Sequence, residues 1–367
     1  MSFKQKSPLK KYRTFGKSQN EKRVGGRKNT SYLFYLLLGL ILFAACAAPS
    51  QTPTSQLKGI QSVKNLNKQA AYVWAQGNRI YSPNGTPLLL RGVMPPDPAA
   101  LEERGLFKRE YYAAIIARGA NVIRVAVHPE RWLHNPDYLR RYLGPLVTWG
   151  QELGIYIIID WHYIGNVISG AGAQMPRISR QPLELTLEFW GQVAEYFRET
   201  PHVMFEIFNE PESISAGEWH AAAQRIIGVI RTQGAKQLVI VGGVEFGKDL
   251  GWVLTNPLKD TNLAYASHIY PAHSAEQWPV WFGEVSETYP VLMTEWGFMD
   301  TAAQTNQSYL VGTVAAYGKP LMDYLNERGI GWVACWYDDD WLPPMFEKNG
   351  EMTTFGEFVF KEMSDTE

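Results

Sequence analysis

Phe205-Glu206-Ile207-Phe208-Asn209-Glu210-Pro211 is the stretch on which the reading of this chain turns. It continues Val203-Met204, so an apolar run ends abruptly in Asn-Glu-Pro. A short run of this kind suits a strand buried on both faces of a parallel sheet. Leu292-Met293-Thr294-Glu295-Trp296-Gly297 is built the same way and also delivers a carboxylate at its end. Barrel enzymes keep their chemistry at the C-terminal lip of such strands. Two carboxylates on two lips suggest an acid/base residue facing a nucleophile.

Outward from these segments, strand patterns fall at 88–93, 121–127, 156–162, 203–209, 237–241, 263–270, 291–296 and 331–337. Helical patterns lie between them near 108–118, 138–153, 184–199, 217–233, 246–254, 279–288 and 308–328, with a last one near 354–363. Leu187, Trp190, Val193, Ala194 and Phe197 share one helical face. The pattern at 246–254 is the weakest, and Pro320 is expected to kink or split its helix. This alternation predicts an α/β chain with a single (β/α)8 TIM barrel over residues 71–367. An open doubly wound sheet is the alternative, but no Gly-rich dinucleotide fingerprint or phosphate-binding loop accompanies it. Ahead of the barrel, Asn84-Gly85 marks a tight turn between extended stretches, read as a hairpin closing the barrel bottom.

The N-terminal part has a different character. Ten of the 35 Lys/Arg but only one of the 36 Asp/Glu fall before residue 29. The remainder is therefore acidic and a poor nucleic-acid binder. The basic head leads into an apolar run at 32–46 that ends Phe43-Ala44-Ala45-Cys46. A positive segment, an apolar segment and small residues describe an export signal. The ending resembles a bacterial lipoprotein box with Cys46 as the acylated residue, although Phe43 departs from the usual aliphatic one. Plain secretion and an uncleaved membrane anchor stay open beside lipidation. All three put the body outside the cytoplasm. Residues 47–70 are polar and read as a flexible tether. Cys335 then has no disulfide partner and is expected as a packed thiol. No repeat or second domain is evident, and a monomeric body is expected.

The strand ends carry the chemistry. Arg124 lies on the second strand, Asp160-Trp161-His162 close the third, Asn209-Glu210 the fourth, and His268-Ile269-Tyr270 the sixth. Glu295 closes the seventh and Trp336 the eighth. Each alone reads as a satisfied structural residue. Together they place titratable groups at one end of six otherwise apolar strands, where burial without use costs desolvation. A carboxylate pair there is what cleavage of a glycosidic bond requires. The 13 Trp, 19 Tyr and 16 Phe supply faces suited to sugar rings.

From about residue 88 to the C-terminus, these motifs resemble glycoside hydrolase family 5, the cellulase-type members of the retaining clan. The resemblance implies an active-site set at Arg124, His162, Asn209, Glu210, His268, Tyr270, Glu295 and Trp336. It implies an endo-acting β-1,4-glucanase with a β-linked polysaccharide substrate and no cofactor. Glu210 is then the acid/base, with a pKa raised by burial and by an ionised Glu295. Glu295 is the nucleophile, held charged by Arg124 and Tyr270. Asn209 is suited to the sugar 2-hydroxyl, His268 to positioning Glu210, His162 to a substrate hydroxyl, and Trp336 to the sugar face.

Other readings stay open. A β-mannanase, another β-glucanase or an exo-β-glycosidase of the same family is the alternative within the class, and a non-catalytic carbohydrate-binding barrel is the alternative of another class. A metal hydrolase has His128, His162, His268 and His273 available, yet no H-x-H or H-E-x-x-H spacing. Glu206 reads as structural, and Asp160 as a partner for Arg124 or His162. Asp338-Asp339-Asp340 reads as a solvated loop before a subsite or cation site. Trp132, Trp161, Trp278, Trp281 and Trp341 are further platform candidates. The loops at 94–97 and 164–182 are expected to wall the cleft.

Overall fold

A computed structural model describes residues 72–172, 178–301 and 305–364. The export-signal segment, Cys46 and the tether at 47–70 lie outside the described residues. Eight strands form a closed, wholly parallel barrel: β1 (Arg91–Met94), β2 (Val122–Val127), β3 (Tyr156–Trp161), β4 (Val203–Glu206), β5 (Val239–Gly242), β6 (Leu263–Ile269), β7 (Val291–Trp296) and β8 (Gly331–Cys335). The ring closes where β8 pairs with β1, as Trp332↔Arg91 through Cys335↔Met94. The expected TIM barrel is therefore the observed one.

Period-two alternation sorts the strand residues into two cores. Val122 and Ala126 of β2, Ile158 of β3, Met204 of β4, Ile240 of β5 and Leu292 of β7 belong to one apolar cluster inside the barrel. Ile123, Val125, Ile157, Phe205 and Val239 belong to the other, packed under the helices. The helix Pro182–Phe197 turns Phe189, Trp190, Val193 and Phe197 into that outer layer. Each such side chain stabilises by about 1.5–3 kcal/mol. Arg124, Asp160 and Glu206 keep the parity of Val122, Ile158 and Met204 and so enter the barrel above its apolar floor. Parity thus positions the site.

Local detail bears out some expectations and shortens one helix. The hairpin pairs Trp74–Gln76 with Arg79–Tyr81, so its loop is Gly77-Asn78, with Gly77 at φ 55. Asn84-Gly85 turns a second antiparallel pairing, as expected: Tyr81 bridges Pro87, and Gly85 N–H donates to Ser82 O at 2.9 Å. The hairpin does lie at the barrel bottom: Asn262, just before β6, accepts from Ala75 N–H and donates to Val73 O. The helix read at 246–254 shrinks to Trp252–Thr255, because 243–249 is held as a turn by bridges Gly243↔Gly247 and Val244↔Asp249. Pro320 starts the helix Lys319–Arg328, and Val314–Gly318 forms a wider π-turn before it. Lacking an N–H, proline fits that first turn. Among the described residues, no helix is long and apolar enough to cross a membrane.

Candidate active site

Strand β4 leaves the barrel ladder three residues earlier than its apolar run suggests. Ile207 N–H still bonds Ile240 O at 3.0 Å, but Asn209 N–H turns to Trp161 O and Glu210 N–H to Tyr163 O, both at 3.0 Å. Glu210–Pro211 then pairs with Ile164–Gly165 in a separate two-stranded ladder. This switch sets Glu210 on the rim.

Arg124 is fully buried and is the hub. Its Nε and Nη2 donate to the two oxygens of Glu206, at 2.6 and 3.1 Å. Nη2 also donates to Asn209 Oδ1 at 2.8 Å and lies 3.2 Å from Asp160 Oδ2. Nη1 donates to Glu295 Oε2 at 3.1 Å. A buried guanidinium is tolerable only with such compensation. Burial disfavours its charge, but Asp160, Glu206 and Glu295 more than offset that and raise its pKa.

Glu295 receives the Tyr270 hydroxyl on Oε1 at 2.7 Å. Burial pushes its carboxyl up, but His268, Arg124, His162 and the Tyr270 hydrogen bond outweigh burial and hold it below the usual carboxylate range. Glu210 goes the other way. Burial, aided by the negative charge of Glu295, raises it above the ordinary value despite its bond to His268. His268 Nδ1 lies 3.0 Å from Glu210 Oε1 and Nε2 lies 3.1 Å from Thr294 Oγ1. Thr294 donates its own proton to Glu206 Oε1 at 2.7 Å, so it accepts from His268 Nε2–H. Burial alone lowers His268, yet Glu295, Glu206 and Glu210 lift it to about 10. That lift favours the imidazolium form, with a proton on each ring nitrogen.

One oxygen of Glu210, one of Glu295 and one nitrogen of His268 lie within 4.8 Å of one another. The two carboxyls face a cleft of about 430 Å³, also lined by His162, Phe246, Tyr309 and Trp336. The Trp336 ring lies 5.6 Å from His162 and 4.7 Å from Trp341. His162 Nδ1 contacts Asp160 Oδ2 at 2.6 Å, and burial drives its pKa well below the ordinary value. Asn209 Nδ2 is buried without a hydrogen-bond partner. All eight side chains singled out in the sequence thus converge on one end of the barrel.

The family model for Cellulase (glycosyl hydrolase family 5) matches residues 103–339. The chain belongs to glycosyl hydrolase family 5. Endoglucanase E-5 of Thermobifida fusca is 25% identical over 301 residues, covering 80% of this chain and 60% of that protein. Endoglucanase N of Pectobacterium atrosepticum is 28% identical over 221 residues, 59% of this chain and 46% of that protein. The chain thus spans about half the length of these curated relatives. The native β-glucanase SdGluc5_26A of Saccharophagus degradans superposes with a TM-score of 0.75 at 25% identity, covering 81% of this chain and 94% of that one. That β-glucanase has also been solved with cellotetraose.

Glu210, His268 and Glu295 are close enough to surround a metal ion. His268 Nδ1 faces Glu210 itself and Nε2 is engaged with Thr294. Other expectations for this family 5 chain resolve as follows. Asp338 is not solvated. It is buried and paired with Arg104 at 2.5 Å, while Asp339 meets the other Arg104 nitrogen at 2.5 Å. Trp132, Trp161 and Trp278 are core residues. Trp281 carries Lys248 over its ring at 5.4 Å, and Trp341 backs Trp336. Of the expected walls, Ile164 lines the cleft, whereas Asp97 is buried and caps Ala99 N–H and His128 N–H.

Sequence reasoning missed Phe246, Tyr309 and Thr294. Gly242-Gly243 was the available signal that the chain turns after β5 and presents Phe246 from a loop. Tyr309 follows β7 by a longer path, and nothing in its neighbourhood marks it. Thr294 sits inside an apolar strand, where its hydroxyl finds partners only through tertiary contact.

Proposed function

We propose that this family 5 protein is a retaining endo-β-1,4-glucanase, with Glu210 as acid/base and Glu295 as nucleophile. The observation that carries this is one relationship. The two carboxyls lie within 4.8 Å at their nearest oxygens, and their surroundings favour a protonated Glu210 and an ionised Glu295. Carboxyl groups about 5–5.5 Å apart suit double displacement, whereas inversion needs room for a water between them.

Glu295 attacks the anomeric carbon while Glu210 gives its proton to the departing glycosidic oxygen. A glycosyl–enzyme bond forms as the glycosidic C–O bond breaks. Glu210, now ionised, takes a proton from the water that displaces Glu295. His268 holds Oε1 of Glu210, leaving Oε2 to carry the proton. Arg124 and Tyr270 hold Glu295 charged and oriented. The unpartnered Nδ2 of Asn209 is placed to donate to the sugar 2-hydroxyl, a contact that strengthens toward an oxocarbenium-like transition state. Trp336 provides the apolar face under the ring. The β-1,4-glucan assignment is supported by the endoglucanase relatives and by the β-glucanase solved with cellotetraose.

Hydrolysis of soluble β-1,4-glucan, β-mannan and mixed-linkage glucan, with the product anomer followed by NMR, tests this. Retained β-configuration and a preference for β-1,4-glucan are expected. Inversion overturns the nucleophile, and preference for mannan overturns the substrate. The basic head, the apolar segment ending at Cys46 and the polar tether support a membrane-tethered body outside the cytoplasm. The mass of the mature N-terminal peptide tests that placement.

A further inference from the structure

Strand β6 ends at Ile269, so Tyr270 stands one residue past the last ladder pair, Ile269↔Trp296. Its hydroxyl nevertheless reaches Glu295 Oε1 at 2.7 Å. Past a strand end the ladder no longer takes up the backbone N–H and C=O, and other partners must. Tyr270-Pro271-Ala272-His273 supplies them. Pro271 suits the second position of a β-turn, and His273 N–H closes that turn on Tyr270 O at 2.8 Å. The His273 ring then reaches back, and its Nδ1 accepts from Tyr270 N–H at 3.1 Å. One residue thus takes both polar groups of the Tyr270 backbone.

An accepting Nδ1 places the ring proton on Nε2. Burial, with Lys248 and His268 nearby, lowers the His273 pKa to about 4, so Nδ1 stays free to accept above that pH. The turn is itself anchored on both sides. Ala272 N–H donates to Tyr309 O at 3.2 Å, and Trp278 Nε1–H donates to His273 O at 3.3 Å. Trp281 meets the His273 ring edge to face, with centroids 5.7 Å apart. The imidazole therefore has little freedom to leave the Tyr270 N–H. We propose that His273 is a positioning residue for the nucleophile, fixing the Tyr270 backbone so that its hydroxyl stays on Glu295. This assignment rests on the retaining-glycosidase reading above.

The test follows kcat/KM against pH for hydrolysis of soluble β-1,4-glucan by the full chain. H273L fills much of the ring's volume without an acceptor, whereas H273N offers an oxygen one bond from Cγ, where Nδ1 stood. In H273L the acid limb is expected to move up by about half a pH unit, a partial loss of the Tyr270 bond to a charged group. The basic limb is expected to stay in place. H273N is expected to return the acid limb to the parent position. In a Y270F background, H273L is expected to leave the acid limb where Y270F alone puts it. An acid limb unmoved by H273L, moved as far by H273N, or moved equally in the Y270F background overturns the proposal. A rate lowered by the same factor at every pH overturns it too, because poor folding removes enzyme without moving a limb. If H273L does not fold, H273A carries the same expectations. A parent inactive on the glucan removes the glycosidase reading itself, a result distinct from an active parent whose acid limb H273L leaves in place.

Discussion

Thr294 gives its hydroxyl proton to Glu206 at 2.7 Å and turns a lone pair toward His268. Through this one hydroxyl, Glu206 on β4 and His268 on β6 are joined by a residue of β7. Replacing Thr294 by Val keeps the shape and removes the relay. His268 Nε2–H then loses its acceptor in a site without solvent, at a cost of about 1–3 kcal/mol. Urea denaturation of Thr294→Val should show a loss of that size. An unchanged midpoint would show that the relay is not a stabilising contact.

Glu295→Gln keeps the volume and removes the proposed nucleophile. Activity on β-1,4-glucan should fall by on the order of 10⁴. Arg124 retains Glu206 and Asp160 as partners, so the thermal midpoint should move far less than the rate. A variant that keeps a tenth or more of the parent rate would place the nucleophile elsewhere.

The barrel and the carboxylate pair were legible because both are written locally. An apolar run that ends in a carboxylate says strand and says end. What stayed hidden depends on tertiary contact. The pairing of Glu210 with Ile164, rather than with the barrel, follows from hydrogen bonds that no run of residues encodes. The left-handed turn at Phe246 resembles a helix start until His268 is seen packed against Gly247. Asp338 looks like surface until Arg104, from a distant loop, arrives to pair with it. Asp160, left between two partners by the sequence, takes both Arg124 and His162.

The pH–rate profile should be bell-shaped. In the proposed roles Glu295 must be ionised, so the rate is lost as pH falls through its lowered pKa. As the proposed acid, Glu210 must be protonated, so the rate is lost as pH rises through its raised pKa. Burial is the largest influence on both, and the Tyr270 hydroxyl is one of the groups that hold Glu295 down against it. Tyr270→Phe removes that donor and must raise the Glu295 pKa. The acid limb of kcat/KM should then move up by about one pH unit, the scale of one hydrogen bond to a charged group. An acid limb that stays in place or moves down would contradict the assignment.

Stability should carry its own pH signature from His268. Its folded pKa is raised to about 10, against about 6.5 for a free imidazole. A raised folded value means that the native state holds the proton more tightly than the unfolded chain does. This contribution is complete below about 6.5 and is lost as pH rises toward 10. Glu206 acts at the other end. Burial opposes its charge, but Arg124 and His268 hold it at about 2, so its contribution is present above about 4.3 and lost as pH falls toward 2. Replacing His268 by Gln removes the titrating group while keeping a polar side chain. Urea unfolding followed from pH 6 to 10 should show a declining midpoint in the parent and a shallower decline in His268→Gln. Parallel declines in the two proteins would mean that His268 is neutral in the native state, leaving Arg124 as the buried cation beside Glu295.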